Sequence, residues 1–127
     1  MESPYILSAR LENIPSSGKG EVRLEMVDYD FIAFGWHGDS SNPSTALIRI
    51  SNEWDSKPWM GQPVSLPALM RSASDPGPGL FVIPKPVPQG YAVLVEVFNV
   101  AATTLGFVEL SLWGKVFRED GLLSVAA

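Results

Sequence analysis

Period-two alternation of apolar and polar residues runs through most of the chain. In Glu21-Val22-Arg23-Leu24-Glu25-Met26-Val27, Val22, Leu24 and Met26 share one face while Glu21, Arg23 and Glu25 share the other. That predicts a strand wet on one side. Tyr29 to Trp36 predicts a second strand, and the polar stretch His37 to Ser44, with Asn42-Pro43 as turn chemistry, predicts a loop. Thr45 to Asn52 alternates again, setting Ala46, Ile48 and Ile50 against Leu47, Arg49 and Ser51. The strongest strand signals come late. In the strand expected from Tyr91 to Asn99, Tyr91 to Phe98 is apolar on both faces, as in a strand deep in a sheet, and in Gly106 to Phe117 the residues Val108, Leu110 and Leu112 oppose Phe107, Glu109, Ser111 and Trp113. Gly114 is expected to mark a bulge or kink, and Asn99 to Leu105 a connection.

Eight of the eleven prolines lie between Pro58 and Pro88. Proline removes a ladder donor, so this region is predicted to stay out of the central sheet. It reads as a stiff loop with extended pieces at Val64 to Leu66 and Leu80 to Ile83. One short helix is expected, capped by Ser65, with Pro67 early in a turn through Leu69 and Met70. Pro84, Pro86 and Pro88 then hold an extended segment that turns at Gln89-Gly90. Residues 1–20 scatter Tyr5, Ile6, Leu7, Leu11 and Ile14 between Pro4 and Pro15, which suits an extended N-terminal arm lying across a neighbouring surface. The expected fold is an all-β, antiparallel, jelly-roll-like β-sandwich over residues 21–127, with a proline-rich mid-chain loop and an arm at 1–20.

Composition narrows the function classes. A chain of 127 residues is one domain, able to bury about two-thirds of its unfolded surface without a metal or disulfide. Cysteine is absent, which removes disulfides and thiolate metal sites. The net charge is −5, and seven of the fourteen acids fall between Glu21 and Asp55. Phosphate backbones are repelled by that balance, so nucleic acid is not an expected partner. No apolar run approaches the roughly twenty residues that span a bilayer. The first twenty residues show neither a signal-peptide nor a transit-peptide pattern, and no membrane partner is expected. Charged residues make up only 18% of the chain and hydrophobic residues 46%, where about a quarter charged is usual. Part of the surface is therefore expected to be covered by another chain.

The residues that invite chemistry carry little of it. Ser17-Gly18-Lys19-Gly20 lacks the glycine and the hydroxyl that a phosphate loop needs at Asn13 and Gly20, and reads as a turn. His37, the single histidine, stands beside Asp39, Ser40 and Ser41, but triad members normally come from separated segments. Asp28 and Asp30, with Asp39, offer too few oxygens for calcium. No paired carboxylates of the glycosidase kind can be named. No catalytic residue, cofactor or metal is expected. The suggestive stretch is Glu53-Trp54-Asp55-Ser56-Lys57-Pro58-Trp59-Met60. Two tryptophans and a methionine among turn residues either anchor an interface or fold back over the end of the sandwich. Trp54, Trp59 and Met60, with Tyr5, Ile6 and Leu7 of the arm, form the candidate interface set.

Three segments together carry a family resemblance: Phe81-Val82-Ile83-Pro84, then Gly90-Tyr91-Ala92-Val93-Leu94-Val95-Glu96-Val97-Phe98-Asn99, then Val108-Glu109-Leu110-Ser111-Leu112-Trp113-Gly114-Lys115-Val116-Phe117. This succession resembles the C-terminal half of small jelly-roll structural proteins of tailed bacteriophages. In those proteins a proline-ended strand precedes a strand closing on Asn, and a last strand closes on an aromatic and Gly. The resemblance implies a non-enzymatic capsid decoration (cement) protein. Such a protein is usually a homotrimer, made in the host cytoplasm and carried on the capsid surface of the virion, where it bridges subunits of the major capsid protein. Two alternatives stay open: a tail or baseplate accessory protein, and a carbohydrate-binding module that uses the tryptophans with Asn52, Asp55 and Gln62.

Overall fold

The computed structural model describes residues 2–27, 29–69 and 79–117. Among the described residues there are eight strands: β1 (Glu2–Ile14), β2 (Lys19–Glu25), β3 (Asp30–Ser40), β4 (Ala46–Asn52), β5 (Val64–Ser65), β6 (Gly79–Val87), β7 (Ala92–Asn99) and β8 (Leu105–Phe117). They form two four-stranded antiparallel sheets packed as a sandwich, sheet A in the order β1-β8-β3-β6 and sheet B in the order β2-β7-β4-β5. The pairings β1 with β8, β2 with β7, β3 with β6 and β4 with β5 nest inside one another. Among the described residues the chain thus runs as one long hairpin wrapped on itself, with four strand edges.

Alternation decides which side chains meet between the sheets. Phe31, Leu112 and Val116 of sheet A face Ile48, Ile50, Val93, Val95 and Val97 of sheet B, all essentially without solvent contact. The largest of these side chains each contribute roughly 1.5–3 kcal/mol by leaving water. One polar side chain is built into the core's end. Asn99 is 2% exposed, and its amide donates to the carbonyls of Ile14, Pro15 and Thr103 at 3.0, 3.1 and 2.9 Å. Its own oxygen accepts from the Ala101 N–H at 2.9 Å. This side chain ties the β1–β2 turn to the β7–β8 connection.

Several of the expected elements lie elsewhere or take another form. Residues 2–14 are not an arm outside the sandwich: they are β1, paired with β8 from Glu2↔Phe117 to Ile14↔Leu105. The expected boundary at residue 20 falls inside β2. The loop expected from His37 is still strand, because His37, Gly38, Asp39 and Ser40 pair with Ser111, Leu110, Glu109 and Val108. An alternation of polar and small residues looks like loop when read without its partner. In the proline-rich region, β6 extends through Pro84 and Pro86 to Val87 as an edge strand paired only with β3, with a break in register: Lys85 pairs with Ala33 and Leu80 with Gly35, so residues 81–84 lie opposite Phe34 alone. Gly114 sits in regular β8, and the register shift lies across from it in β3 between Ala33 and Gly35, leaving Phe34 as the extra residue. The short helix is 3-10, at Leu66–Leu69; Met70 lies outside the described residues. Finally, β7 is central, but its burial is one-sided: Ala92, Val93, Val95, Val97 and Asn99 are buried, while Leu94, Glu96 and Phe98 are half-buried on the outer face.

Candidate docking surface

The expected tryptophan cluster separates into two local caps. Trp59 lies edge-on to Phe81 at 5.5 Å, and Phe81 in turn meets Trp36 at 4.8 Å. The Trp59 indole N–H donates to Asn52 Oδ1 at 2.7 Å, its backbone N–H to the Ile50 carbonyl at 2.8 Å, and Met60 Sδ accepts from the Ile50 N–H at 3.2 Å. This group closes the sandwich beside β4. Trp54 points elsewhere, edge-on to Tyr91 at 5.2 Å. Trp54, Trp59 and Met60 are all half-buried and packed against the core. Their geometry is that of side chains folded back over the ends of the sandwich.

In the arm set, alternation divides the three residues between faces. Leu7 packs against the core, and Tyr5 lies edge-on to Phe31 at 6.0 Å. Ile6 points out and is 64% exposed. The registers then carry its position across the whole of sheet A. Ile6 pairs with Trp113, Trp113 with Gly35, and Gly35 with Leu80. These four residues form one outward row from edge to edge, and Leu80 at the far end is 61% exposed. The extra residue Phe34 brings its ring to 6.5 Å from the Trp113 indole. The neighbouring row, Pro4, Lys115, Ile32 and Pro86, is also mostly apolar.

Two glycines make this belt possible. A Cβ at Gly35 would fall 2.6 Å from Trp113 Nε1, so the indole lies over the strand because no side chain stands beneath it. A Cβ at Gly114 would collide with the Ile32 carbonyl oxygen, so β3 and β8 approach closely only with glycine there. The buried Nε1 of Trp113 has no hydrogen-bond partner, an omission that costs about 1–3 kcal/mol.

Along β8 beyond the belt the same face turns polar. Ser8 and Ser111 share a hydrogen bond of 3.1 Å, with His37 opposite Ser111 on β3. Arg10 binds Glu109 and, at 2.9 Å, Glu12, and its guanidinium lies 4.7 Å above the Phe107 ring. The hydrogen bond to Glu12, with Glu109 adding to it, holds the Arg10 pKa above its ordinary value. His37 and Asp39 thus stand on an open sheet face. Asp39 accepts from the Ser40 N–H at 2.8 Å, while Asp30, at the other end of β3, is buried and accepts from the Gln89 N–H at 2.8 Å. Asp28 lies outside the described residues. Among the described residues no group of three or more metal-ligating side chains occurs. Ser17 and Gly18 form the β1–β2 turn, closed by the Gly18 N–H on the Pro15 carbonyl at 2.8 Å, and Lys19 and Gly20 begin β2.

Sequence reasoning selected Ile6 but missed Ile32, Phe34, Leu80 and Trp113 as a group. The outward parity of Trp113 was readable from β8. That Ile6 and Leu80 flank it depends on long-range registers that no local pattern reveals.

No protein-family model matches the chain, and no curated protein sequence matches it. Among solved structures, it is similar to the one described as "Crystal Structure of FLHE", at 9% identity, with 89% of this chain and 96% of that one covered and a TM-score of 0.37. It is also similar to dimeric latent PorU from Porphyromonas gingivalis, at 10% identity, with 95% of this chain and 14% of that one covered and a TM-score of 0.28. Neither likeness carries an argument about this chain.

Proposed function

We propose that this chain is a non-enzymatic structural protein that works by docking through the outer face of sheet A, and that it is a capsid decoration protein bound to the outside of a tailed-phage head. The observation that carries the docking reading is the row Ile6–Trp113–Gly35–Leu80, apolar across the full width of the sheet and exposed at both ends. Monomeric proteins rarely keep such a continuous patch open to water, and an indole held with its N–H unsatisfied is retained against stability. The phage assignment is supported by the resemblance of the three C-terminal segments to small jelly-roll virion proteins, with the major capsid protein as partner, and the nested strand pairing is in keeping with a jelly-roll order. The test is to mix the purified protein with undecorated heads and image them. Density outside the shell that sits on the sheet A face is the expected result, and heads that stay bare contradict the assignment.

One observation favours a second reading, a carbohydrate-binding module. Trp113 is followed on the same face by Ser111, Ser8 and His37, and an aromatic beside polar groups is suited to packing against a sugar ring. Retention on a glycan column that Trp113→Ala abolishes would select this reading over the capsid.

A further inference from the structure

Among the described residues the sandwich has four strand edges, and three are guarded. On sheet A, β6 carries Pro84, Lys85 and Pro86. On sheet B, β5 is only two residues long. The other edge of sheet B, β2, presents Lys19, Glu21, Arg23 and Glu25 in alternation, engaged with Glu96 and Glu53 as well as with one another. Prolines, charges and shortness are the devices that keep edges from pairing with other chains. The remaining edge, β1, is thirteen residues long, and from Tyr5 to Ala9 it has neither charge nor proline. Tyr5 and Ile6 are 38% and 64% exposed there.

We infer that β1 is the self-association edge, and that it pairs antiparallel with β1 of a second copy about a two-fold axis at Ile6. That register sets Tyr5 against Leu7 of the second copy and Pro4 against Ser8 of the second copy. It also joins the two outward rows. Leu80, Gly35, Trp113 and Ile6 of one copy continue into Ile6, Trp113, Gly35 and Leu80 of the other, making one apolar row over eight strands. A shift of the pairing to either side breaks that row, and cross-strand apolar pairs on one face are what fix register. A strand meeting its own copy is an isologous contact that closes at two subunits. The inference therefore replaces the three-fold association implied by the family resemblance. It rests on the docking reading and deepens it by doubling the same face, yet its test uses no capsid, so either can fail alone.

Sedimentation equilibrium of the full chain at micromolar concentration is expected to give twice the 13.8 kDa of one copy. Ile6→Lys places like charges across the axis on an exposed side chain, and should weaken dimerisation roughly tenfold or more while the circular dichroism spectrum is unchanged. The absence of native cysteine allows a second, position-specific reading. Ile6→Cys should cross-link to dimer under mild oxidation, and Leu80→Cys, on the opposite edge, should not. A monomer, a trimer, or a dimer that neither responds to Ile6→Lys nor cross-links at residue 6 overturns the inference.

Discussion

The outer faces of the two sheets differ in chemistry as well as in strand length, which is 9–13 residues in sheet A and 2–8 in sheet B. Sheet B turns out Lys19, Glu21, Arg23 and Glu25 from β2 and, from β7, Glu96 between the half-buried Leu94 and Phe98, with the charges linked by pairs such as Lys19–Glu96 at 2.6 Å and Arg23–Glu25 at 3.0 Å. Sheet A turns out Ile6, Ile32, Phe34, Trp113 and Leu80 at one end and serines and charges at the other. The charges of sheet B are locally paired, and those on β2 are exposed. The apolar face needs a bulge, two glycines and an orphaned indole N–H to exist. On the proposed docking reading a partner covers the sheet A face, whereas the β2 side of sheet B is satisfied by its own ion pairs.

The largest expected effect comes from removing the local geometry that sheet A depends on. Gly114→Ala drives a methyl group into the β3 backbone and should destabilise the fold by about 3 kcal/mol. Urea unfolding measures this, and a loss comparable to an ordinary surface change would mean that β3 can withdraw freely. Next comes Trp59→Ala. Because Trp59 is half-buried against Phe81 and bonded to Asn52, the expected loss is about 2 kcal/mol of stability with head binding unchanged per folded molecule. Unaltered stability with lost binding would return the tryptophan loop to the docking surface and weaken the contrast between the faces.

These two sites show what was legible in the chain. Strand parity was readable wherever one face is wet: the inward sets Val22/Leu24/Met26, Ala46/Ile48/Ile50 and Val108/Leu110/Leu112 all lie in or against the core. The prolines correctly kept β5 and β6 to sheet edges. The N-terminal segment was misread because Ser3, Pro4, Ser8 and Arg10 interrupt its apolar pattern, and only pairing with all of β8 makes it a strand. The tryptophan loop left both readings open, interface anchor or cap over the sandwich, because sequence cannot tell that Phe81 waits behind Trp59. The belt on sheet A was invisible as a unit, since its members lie on four strands joined by register.

A smaller effect on stability, but a decisive one for docking, is expected from charge placed on the belt. Leu80→Lys alters a 61% exposed side chain, so its stability should stay within about 0.5 kcal/mol of the parent. The smallest effects belong to sheet B. The hydrogen bond to Glu96 raises the Lys19 pKa above its ordinary 10.5. A raised lysine stabilises the fold fully at pH values below its unfolded pKa, and that contribution disappears as pH climbs through the folded pKa. Lys19→Met should therefore leave the pH dependence of melting unchanged between about pH 6 and 9 in moderate salt, apart from the small screening-sensitive effect expected of exposed ion pairs. A large shift in that range would show that the charged face is structural.

The most direct measurement is retention on undecorated heads for three proteins side by side: the parent chain, Leu80→Lys on sheet A and Arg23→Ala on sheet B. The account predicts that the parent and Arg23→Ala bind alike, while Leu80→Lys loses about 2 kcal/mol of affinity, roughly thirtyfold. Equal binding by Leu80→Lys, or a loss confined to Arg23→Ala, would contradict it.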